Sequence, residues 1–388
     1  MQWYGFPFYL RLVRKTLFNS RGTFARLTPK RFVMMSLFIP TLFVGQLIHR
    51  IALALDDVLF PGWRDVKVVR PMFMVGIPRS GTTFLHRLVS KDTENFTTLK
   101  TWEMILAPSI LERRLFMALG RVDRALGGYG RKLVTAVEDR AFADVRKIHK
   151  IGLYEPEEDD IALFPIFCSV FMLFPFPFTE DLAPHFRMDD DLPEETKDAI
   201  LRFYEGCVKR HLYVHGPEKR FLSKNPMFSG KTAALAKTFP DCQIVCNVRN
   251  PFDALPSLLS FVSYTWNRYD NDMKGMGFYD FILEMVHYWY LHPADTLPAL
   301  GEDRHAFVPY DELTGALEPT LRGLYERFGL TIGPRYAKTL EVEFAKAAAY
   351  KSKHEYDLAE FGLTPERVRA QFGEVFERFD LDPSFDPS

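Results

Sequence analysis

This sequence lacks several features that would assign it to a whole class of proteins. It contains four cysteines, and none of them has the spacing of a zinc site, so we expect reduced, buried thiols. It has no low-complexity run, no clear internal repeat and no long Gly/Ser linker, which argues against a disordered or solenoid protein. Positive and negative charges nearly cancel, to a net charge of −1, so the chain as a whole shows no preference for nucleic acid. The remaining picture is that of a folded globular protein, 47% hydrophobic and 26% charged.

Positive charge is nevertheless concentrated at the amino terminus. Residues 1–70 contain eleven Lys/Arg and three Asp/Glu, a net charge of +8, with aromatic side chains scattered among the basic ones. The apolar run 32–47 is shorter than the about 20 residues of a spanning helix and lies too deep for an ordinary secretory signal. We therefore treat residues 1–70 as a segment of its own. It is typical of a peptide on an anionic membrane surface, and the alternatives are a layer packed on the catalytic domain or a second subunit, or a true span.

The most informative motif spans residues 71–89. An apolar run, 71–75, predicts a buried strand, and Gly76 and Gly81 bracket a tight turn before a helix that begins near Thr82. Such a loop directs backbone N–H groups and the positive end of a helix at one point, which suits a phosphate or a sulfate. The spacing G-x-x-x-x-G matches a phosphate loop, but Thr82 stands where a kinase-type loop has Lys. The cation is instead Arg79, inside the loop.

A second candidate anion site follows the strand predicted at 243–248. That strand ends at Arg249, and a helix is predicted to begin near Pro251. Ser257 lies about two turns into this helix, so Arg249 and Ser257 are able to hold one phosphate from two sides. Taken alone, an Arg at a strand end is also typical of a salt-bridged surface residue. Together with the first loop, it predicts a nucleotide that carries phosphates at both ends.

These two motifs resemble those of the sulfotransferases that use 3′-phosphoadenosine 5′-phosphosulfate (PAPS). The sequence from Pro78 to Thr83 is similar to the family's P-R-S-G-T-T loop, which holds the 5′-phosphosulfate, and Arg249 with Ser257 is similar to the pair that holds the 3′-phosphate. The resemblance is strong over 71–103 and 221–260 and looser at 354–363, which is similar to the tail of the bacterial-type branch. No family motif covers 105–220. The resemblance implies PAPS as co-substrate, PAP as product, and a set of cofactor-binding residues: Arg79, Ser80, Gly81, Thr82, Thr83, Arg249 and Ser257.

Transfer from a single 5′-phosphate explains the missing Lys. A kinase neutralises a polyphosphate with Lys and Mg²⁺, whereas this donor has less charge to offset, so we expect no metal requirement. The nearest match to a strand that ends in a magnesium-binding Asp is 306–311, and Pro309 weakens it as a central strand. One alternative is a P-loop kinase acting on a small alcohol. Another is a non-catalytic PAP- or PAPS-binding membrane protein.

The acceptor hydroxyl must lose a proton, which calls for a base near the sulfur. Glu103 follows a short strand-like run after the loop helix, at the edge of a parallel sheet where ligands bind. Thr101-Trp-Glu103 also resembles the position of the base in tyrosylprotein and carbohydrate sulfotransferases, so we predict Glu103 as the base. The alternatives are a plain helix-start acid at Glu103, a base role for His86, and a share for the acidic run 155–160, which is itself typical of a solvated helix cap.

Two further basic sites are implied by the resemblance. Lys224 lies in a K-x-P turn similar to that of the family, where the Lys stabilises the leaving phosphate oxygen. Lys351 and Lys353, in a late basic stretch, correspond to a loop that closes over the 3′-phosphate. The predicted catalytic residues are therefore Glu103, Lys224 and Arg79, with no metal ligand.

The segment 161–178 contains six Phe, which predicts either core packing or a greasy acceptor pocket or membrane-facing rim. With the basic amino terminus, this favours a hydrophobic or lipid-like acceptor alcohol. The predicted fold class is α/β, a P-loop-type three-layer domain over 71–388 with a central, mainly parallel sheet and a helical acceptor-side cap at about 104–214. We expect strands near 71–76, 96–100, 220–223, 243–248 and 305–309, and a cytoplasmic protein peripheral at the inner membrane face, with a homodimer as a further prediction.

Overall fold

Five parallel strands form the sheet that carries the site. The structure, a computed structural model, describes residues 5–142, 152–271, 277–349 and 358–385. Within these residues the strand order is β2-β3-β1-β4-β5, and every neighbouring pair is parallel. The predicted fold class is thus confirmed, and each strand lies where the sequence predicted it, although β2 is shorter. The strands are β1 (Met72–Gly76), β2 (Phe96–Thr97), β3 (Arg220–Lys224), β4 (Gln243–Val248) and β5 (His305–Pro309).

Helices cover both faces of this sheet. In the part of the chain that the structure describes, they are α1 (Phe6–Phe18), α2 (Pro29–Leu59), α3 (Thr82–Val89), α4 (Thr101–Ile105), α5 (Ile110–Ala125), α6 (Tyr129–Phe142), α7 (Thr179–Phe186), α8 (Met188–Asp191), α9 (Glu194–His215), α10 (Thr232–Thr238), α11 (Pro251–Arg268), α12 (Phe278–Thr296), α13 (Tyr310–Gly315), α14 (Leu317–Arg327), α15 (Pro334–Ala348) and α16 (Pro365–Arg378). The helix predicted from Pro251 begins there, because the Asn250 side chain accepts a hydrogen bond from the Phe252 N–H and so satisfies one free donor of the first turn.

Alternation along β1 produces the three layers. Phe73 and Val75 point to a core shared with α9 and α10, while Met72 and Met74 point to a core shared with α3 and α14. Successive side chains of a strand face opposite sides, and a parallel strand that is covered on both sides therefore reads as one continuous apolar run. The same rule explains why β1 and β4 were recognisable in the sequence. All four cysteines are buried and unpaired, as expected.

The amino-terminal helices pack along this body. Tyr9 of α1 stacks on Phe167 with ring centroids 4.3 Å apart, and its hydroxyl donates to the carbonyl of Ile39 in α2 (2.9 Å). The aromatic segment 161–178 contributes to the same core cluster, next to Trp266. Among the described helices, one, α2, has the length and apolar composition that a membrane-crossing helix needs.

Candidate functional site

The loop between β1 and α3 is held in a conformation that its glycines make possible. Gly76 has φ of 118°, and a Cβ atom there would lie 2.2 Å from the carbonyl oxygen of Asn247. Gly81 has φ of 86° and precedes the first turn of α3. Arg79 also lies in the left-handed region, with φ of 71°, a costly conformation for a residue with a side chain and one that clusters at functional sites. The free N–H groups of the first turn of α3 therefore face a loop of fixed shape.

The two predicted anion motifs meet in space. Arg79 Nε donates to Ser257 Oγ over 2.9 Å, and Arg249 Nη1 donates to the backbone oxygen of Arg79, also over 2.9 Å. The Arg249 guanidinium lies over the ring of Tyr310, 4.2 Å from its centroid, and the Tyr310 side chain also lines the space beside Gly81. The structure thus brings together Arg79, Arg249 and Ser257, which are as far as 178 residues apart in sequence.

Lys224 joins the same site from the carboxyl end of β3. Its side chain is buried, and Nζ donates to Thr83 Oγ1 of the loop helix (3.2 Å) and to Glu158 Oε1 (3.1 Å). Glu157 lies slightly farther away, with its Oε2 3.6 Å from Nζ. The ammonium group therefore connects the start of α3 to two carboxylates of the acidic run 155–160, which the sequence analysis had left as an alternative to Glu103.

The acidic run 155–160 is not a solvated helix cap. Glu157, Asp159 and Asp160 are buried, and the run is bound to groups from several elements. Asp160 forms an ion pair with Lys231 (3.2 Å), and the Tyr204 hydroxyl donates to Asp159 over 2.5 Å. The interpretation as a cap failed because the cationic partners of the run lie as much as 71 residues away in sequence.

Asp159 gives the protein a testable pH dependence. Burial raises the pKa of Asp159 to about 7, from an ordinary value of 3.8. The unfolded chain releases this proton near pH 4 while the folded chain keeps it until about pH 7, so rising pH favours unfolding through this window, by roughly 4 kcal/mol for a shift of this size. We expect Asp159→Asn to be more stable than the native chain at about pH 8 and to lose that advantage at about pH 4.

Urea unfolding of both proteins across this pH range measures the difference. Asp311→Asn, at an exposed Asp, is the matched control and should show no such window. If the stabilities of Asp159→Asn and of the native chain change in parallel with pH, Asp159 is not protonated in the folded chain at neutral pH.

Glu103 lies in a different environment from Lys224. Its carboxylate is fully buried; Oε2 accepts from the backbone N–H of Lys100 (2.9 Å), and Oε1 lies 2.5 Å from His215 Nε2 and 4.0 Å from Arg113 Nε. Burial alone would raise the pKa of Glu103, but His211, His215 and Arg113 lower it well below its usual range. These are the contacts of a helix-start acid, which was the alternative interpretation, and the base role of Glu103 stays a prediction.

Sequence reasoning missed the two histidines around Glu103. His211 and His215 stand one turn apart on α9, with ring centroids 4.6 Å apart. One ring nitrogen of each histidine and one carboxylate oxygen of Glu103 all lie within 4.8 Å of one another. The spacing H-x-x-x-H was the available signal. Such a group has the size of a metal site, yet the Arg113 guanidinium already places positive charge beside the carboxylate.

His86, the other alternative base, is buried on α3. Its Nε2 lies 3.0 Å from Thr98 Oγ1, and burial lowers the pKa of His86 to about 3. It is therefore neutral at physiological pH and a weak proton acceptor. Lys351 and Lys353, predicted to close over the 3′-phosphate, lie outside the described residues.

An apolar cavity adjoins the loop between β1 and α3. It has a volume of about 50 Å³, and its wall includes Pro78 of the loop, Phe171 and Phe174 of the aromatic segment, and Trp266 and Trp289. Part of segment 161–178 therefore packs in the core, and part of it lines an apolar cavity. Pro78, which precedes Arg79 in the sequence, lines the same cavity.

Comparison with known proteins agrees with this geometry. The model of the "Sulfotransferase family" matches residues 175–334. A curated protein of Mycobacterium bovis, omega-hydroxy-beta-dihydromenaquinone-9 sulfotransferase Stf3, is 25% identical over 334 residues, which are 80% of this chain and 75% of that protein. The crystal structure of sulfotransferase STF9 from Mycobacterium avium has the same fold, with a TM-score of 0.71 at 20% identity, over 96% of this chain and 90% of that one.

Sulfotransferase STF1 from Mycobacterium tuberculosis H37Rv also shares the fold. Its TM-score is 0.65 at 21% identity, and the match covers 94% of this chain and 92% of that structure. The P-R-S-G-T-T loop, its position between β1 and α3, and these similarities in sequence and fold lead to one conclusion: the chain resembles the sulfotransferase family in both sequence and fold.

Proposed function

We propose that this protein transfers a sulfuryl group from PAPS to a hydroxyl group of a hydrophobic, lipid-like acceptor, by direct in-line transfer. The observation that carries the proposal is the convergence of Arg79, Ser257 and Arg249 at one loop. Two arginines, a hydroxyl and the free amides of a helix start form an anion site suited to more than one phosphate or sulfate group. This arrangement relies on protein cations, which agrees with the prediction that no metal is required for transfer.

The proposed roles follow from position. Arg79 and the amides of residues 80–83 hold the 5′-phosphosulfate, and Arg249 and Ser257 hold the 3′-phosphate. Lys224, which reaches Thr83 at the start of α3, steadies the oxygen that leaves sulfur as the S–O bond breaks. As the bond to the acceptor oxygen forms, its proton passes to a carboxylate, and PAP leaves.

The acceptor class rests on the cavity beside the loop. Its wall of Phe, Trp, Leu and Met side chains begins at Pro78, so an apolar group there lies next to the transferring sulfur. The curated relative Stf3 is named for a hydroxylated menaquinone, which is a lipid-like alcohol. A cavity of about 50 Å³ holds only a small part of such a molecule, so the rest of the acceptor would extend from the cavity toward the surface.

Two carboxylates compete for the role of base. The sequence predicts Glu103, whereas contacts favour Glu158, which is partly exposed and touches Lys224 at 3.1 Å. We expect Glu158→Gln to lower kcat by roughly 100-fold or more, the usual contribution of general base catalysis, with little change in PAP affinity. Glu103→Gln is the paired variant, and it should act chiefly on thermal stability because it removes the partner of His215 and Arg113.

Steady-state kinetics with labelled PAPS, alongside thermal unfolding, separates the two carboxylates. The reverse pattern, with kcat lost in Glu103→Gln and kept in Glu158→Gln, would return the base role to Glu103. Loss of kcat in neither variant contradicts both assignments.

The proposed function itself is tested by transfer of labelled sulfate from PAPS to long-chain and quinone-type alcohols, with and without Mg²⁺. Metal-independent transfer is expected. Phosphate transfer from ATP that requires Mg²⁺ would favour the P-loop kinase, and nucleotide binding without transfer to any alcohol would favour the non-catalytic alternative. A cytoplasmic location, the absence of a nucleic-acid partner and a homodimer stay predictions.

A further inference from the structure

The exposed apolar surface of this protein is one-sided. Among the described residues, the large hydrophobic side chains that are exposed lie, with one exception, between Leu10 and Tyr154; the exception is Val342 on α15. Most of them belong to α2, α5 and α6. Helix α5 lies between the other two and contacts both of them. We call the outer faces of these three helices the apolar platform. Large exposed apolar patches are rare on soluble monomers and usually mark an interaction surface.

Helix α2 supplies the longest part of the platform. Its exposed face carries Leu37, Val44, Ile51 and Val58, spaced seven residues apart, with Ile48 and Leu55 between them. Its opposite face is buried and polar at both ends. This helix is therefore unusual, because its exposed face is apolar while three of its charged side chains, Arg31, Arg50 and Asp56, are buried.

Those inward contacts decide how α2 lies. Near its start, Arg31 donates to the backbone oxygens of Tyr269 and Pro175, both over 2.7 Å. Near its end, Asp56 accepts from Arg210 Nε (3.1 Å) and from backbone N–H groups at the start of α5. These anchors are separated by roughly 37 Å of helix. A helix fixed to one body at both ends lies along that body, and crossing a bilayer would break buried ionic contacts at one end or the other.

Helices α5 and α6 extend the platform and add positive charge. On α5, Leu115, Leu119 and Val122 share one face, and all three are exposed. Arg121, Arg124, Arg131 and Lys132 are exposed on the same two helices, and the last three line a wide, open groove of about 640 Å³. Apolar side chains flanked by Arg and Lys are the pattern of a surface that enters the headgroup region of an anionic bilayer.

A second copy of the chain fits this surface less well. A seven-residue repeat also occurs in coiled coils, where charged residues flank the apolar seam and set the pairing. No residue from 32 to 48 is charged, so α2 offers no such pairs along the first half of its seam. The net charge of +8 in residues 1–70 would also oppose itself across a two-fold interface.

We propose that the apolar platform docks in the plane of an anionic lipid bilayer, with α2 lying on the membrane rather than across it. The proposal rests on the proposed function, since a lipid-like acceptor resides in the membrane and would reach the site from there. The chemistry that recognises the platform is a layer of anionic headgroups over hydrocarbon.

Vesicle sedimentation tests the docking without any turnover. The purified protein is mixed with vesicles of phosphatidylcholine alone or with phosphatidylglycerol added. Binding to the anionic vesicles that weakens with added salt is expected. In the double variant Leu37→Glu/Ile48→Glu, binding should fall by roughly ten-fold or more, because two carboxylates enter the face that contacts hydrocarbon. Val342→Glu, at an exposed apolar position on α15 outside the platform, is the matched control and should bind like the native chain.

PAP titration of every variant distinguishes a failure of membrane docking from a failure of the proposed function. Native PAP affinity shows that a variant is folded, and failure of PAP binding in the native chain would count against the donor site alone. Equal vesicle binding by the double variant and by Val342→Glu would overturn the platform, as would no preference for anionic vesicles. Light scattering that shows a dimer, dissociated by Leu37→Glu/Ile48→Glu, would assign the platform to a second copy.

Discussion

Replacing Arg249 by Ala is expected to weaken PAP binding by roughly 100-fold or more, since a charge-assisted hydrogen bond contributes about 1.5–3 kcal/mol and a guanidinium makes two. The variant loses more than a phosphate ligand. Arg249 also donates to the backbone oxygen of Arg79, in a loop residue whose φ of 71° needs support from its surroundings. We therefore expect the loop to hold the 5′ end of the nucleotide less well too.

Calorimetric titration with PAP, in the presence of a chelator, measures this effect. Arg249→Lys keeps the charge but not the planar fork, so its affinity should fall between those of the native chain and the Ala variant. Arg322→Ala removes an exposed Arg that forms an ion pair with Glu318, one turn away on α14, and it should bind as the native chain does. PAP affinity that is indifferent to Arg249, or a preference for ATP with Mg²⁺, would contradict a donor site built for two separate phosphates.

Replacing Lys224 by Met should have the opposite signature, a loss of turnover with a smaller change in affinity. Lys224 contacts Thr83 at the start of α3, next to the place that we propose for the bond between sulfur and the leaving oxygen. Charge that develops on that oxygen is stabilised most in the transition state, so we expect kcat to fall by roughly 100- to 1000-fold. PAP affinity should change much less.

Burial complicates this variant, and the chain offers a control for it. Removing Lys224 takes a buried cation away from Glu158 and Glu157, although Glu157 keeps its ion pair with Arg87, and this is expected to reduce stability. Lys231→Met does the same to Asp160, because Lys231 is also buried and ion-paired, but its described contacts do not include the donor loop. Single-turnover kinetics and thermal unfolding of both variants separate the two effects. If Lys231→Met loses as much turnover as Lys224→Met, then Lys224 acts through folding and not on the leaving oxygen.

Residue patterns over short stretches predicted the framework of this site well. The continuous apolar runs of β1 and β4 mark strands that are buried on both faces. Gly76 and Gly81 mark the two loop positions whose positive φ angles favour glycine. The start of α11 was readable from Pro251. Each of these signals is local, since the residues that determine the structure stand next to each other in the chain.

The electrostatic partners were not readable in the same way. The acidic run 155–160 resembled a solvated cap because Lys224 and Lys231, which neutralise it, belong to another strand and the turn after it. Glu103 resembled a free base because its partner His215 stands 112 residues away. A single sequence shows which groups carry charge, but the folded chain decides which charges meet, and so which carboxylate stays available for a proton.

The hydrogen bond from Arg249 to the backbone of Arg79 has a consequence for how the donor is recognised. In the proposed function, Arg249 holds the 3′-phosphate of the nucleotide, and its hydrogen bond also supports the loop proposed to hold the sulfate. Occupation of either end thus alters the freedom of the other, and the binding energies of the two ends are not separable quantities. We therefore expect a nucleotide that carries only one of the two anionic groups to leave part of this connected site unused, which disfavours common mononucleotides.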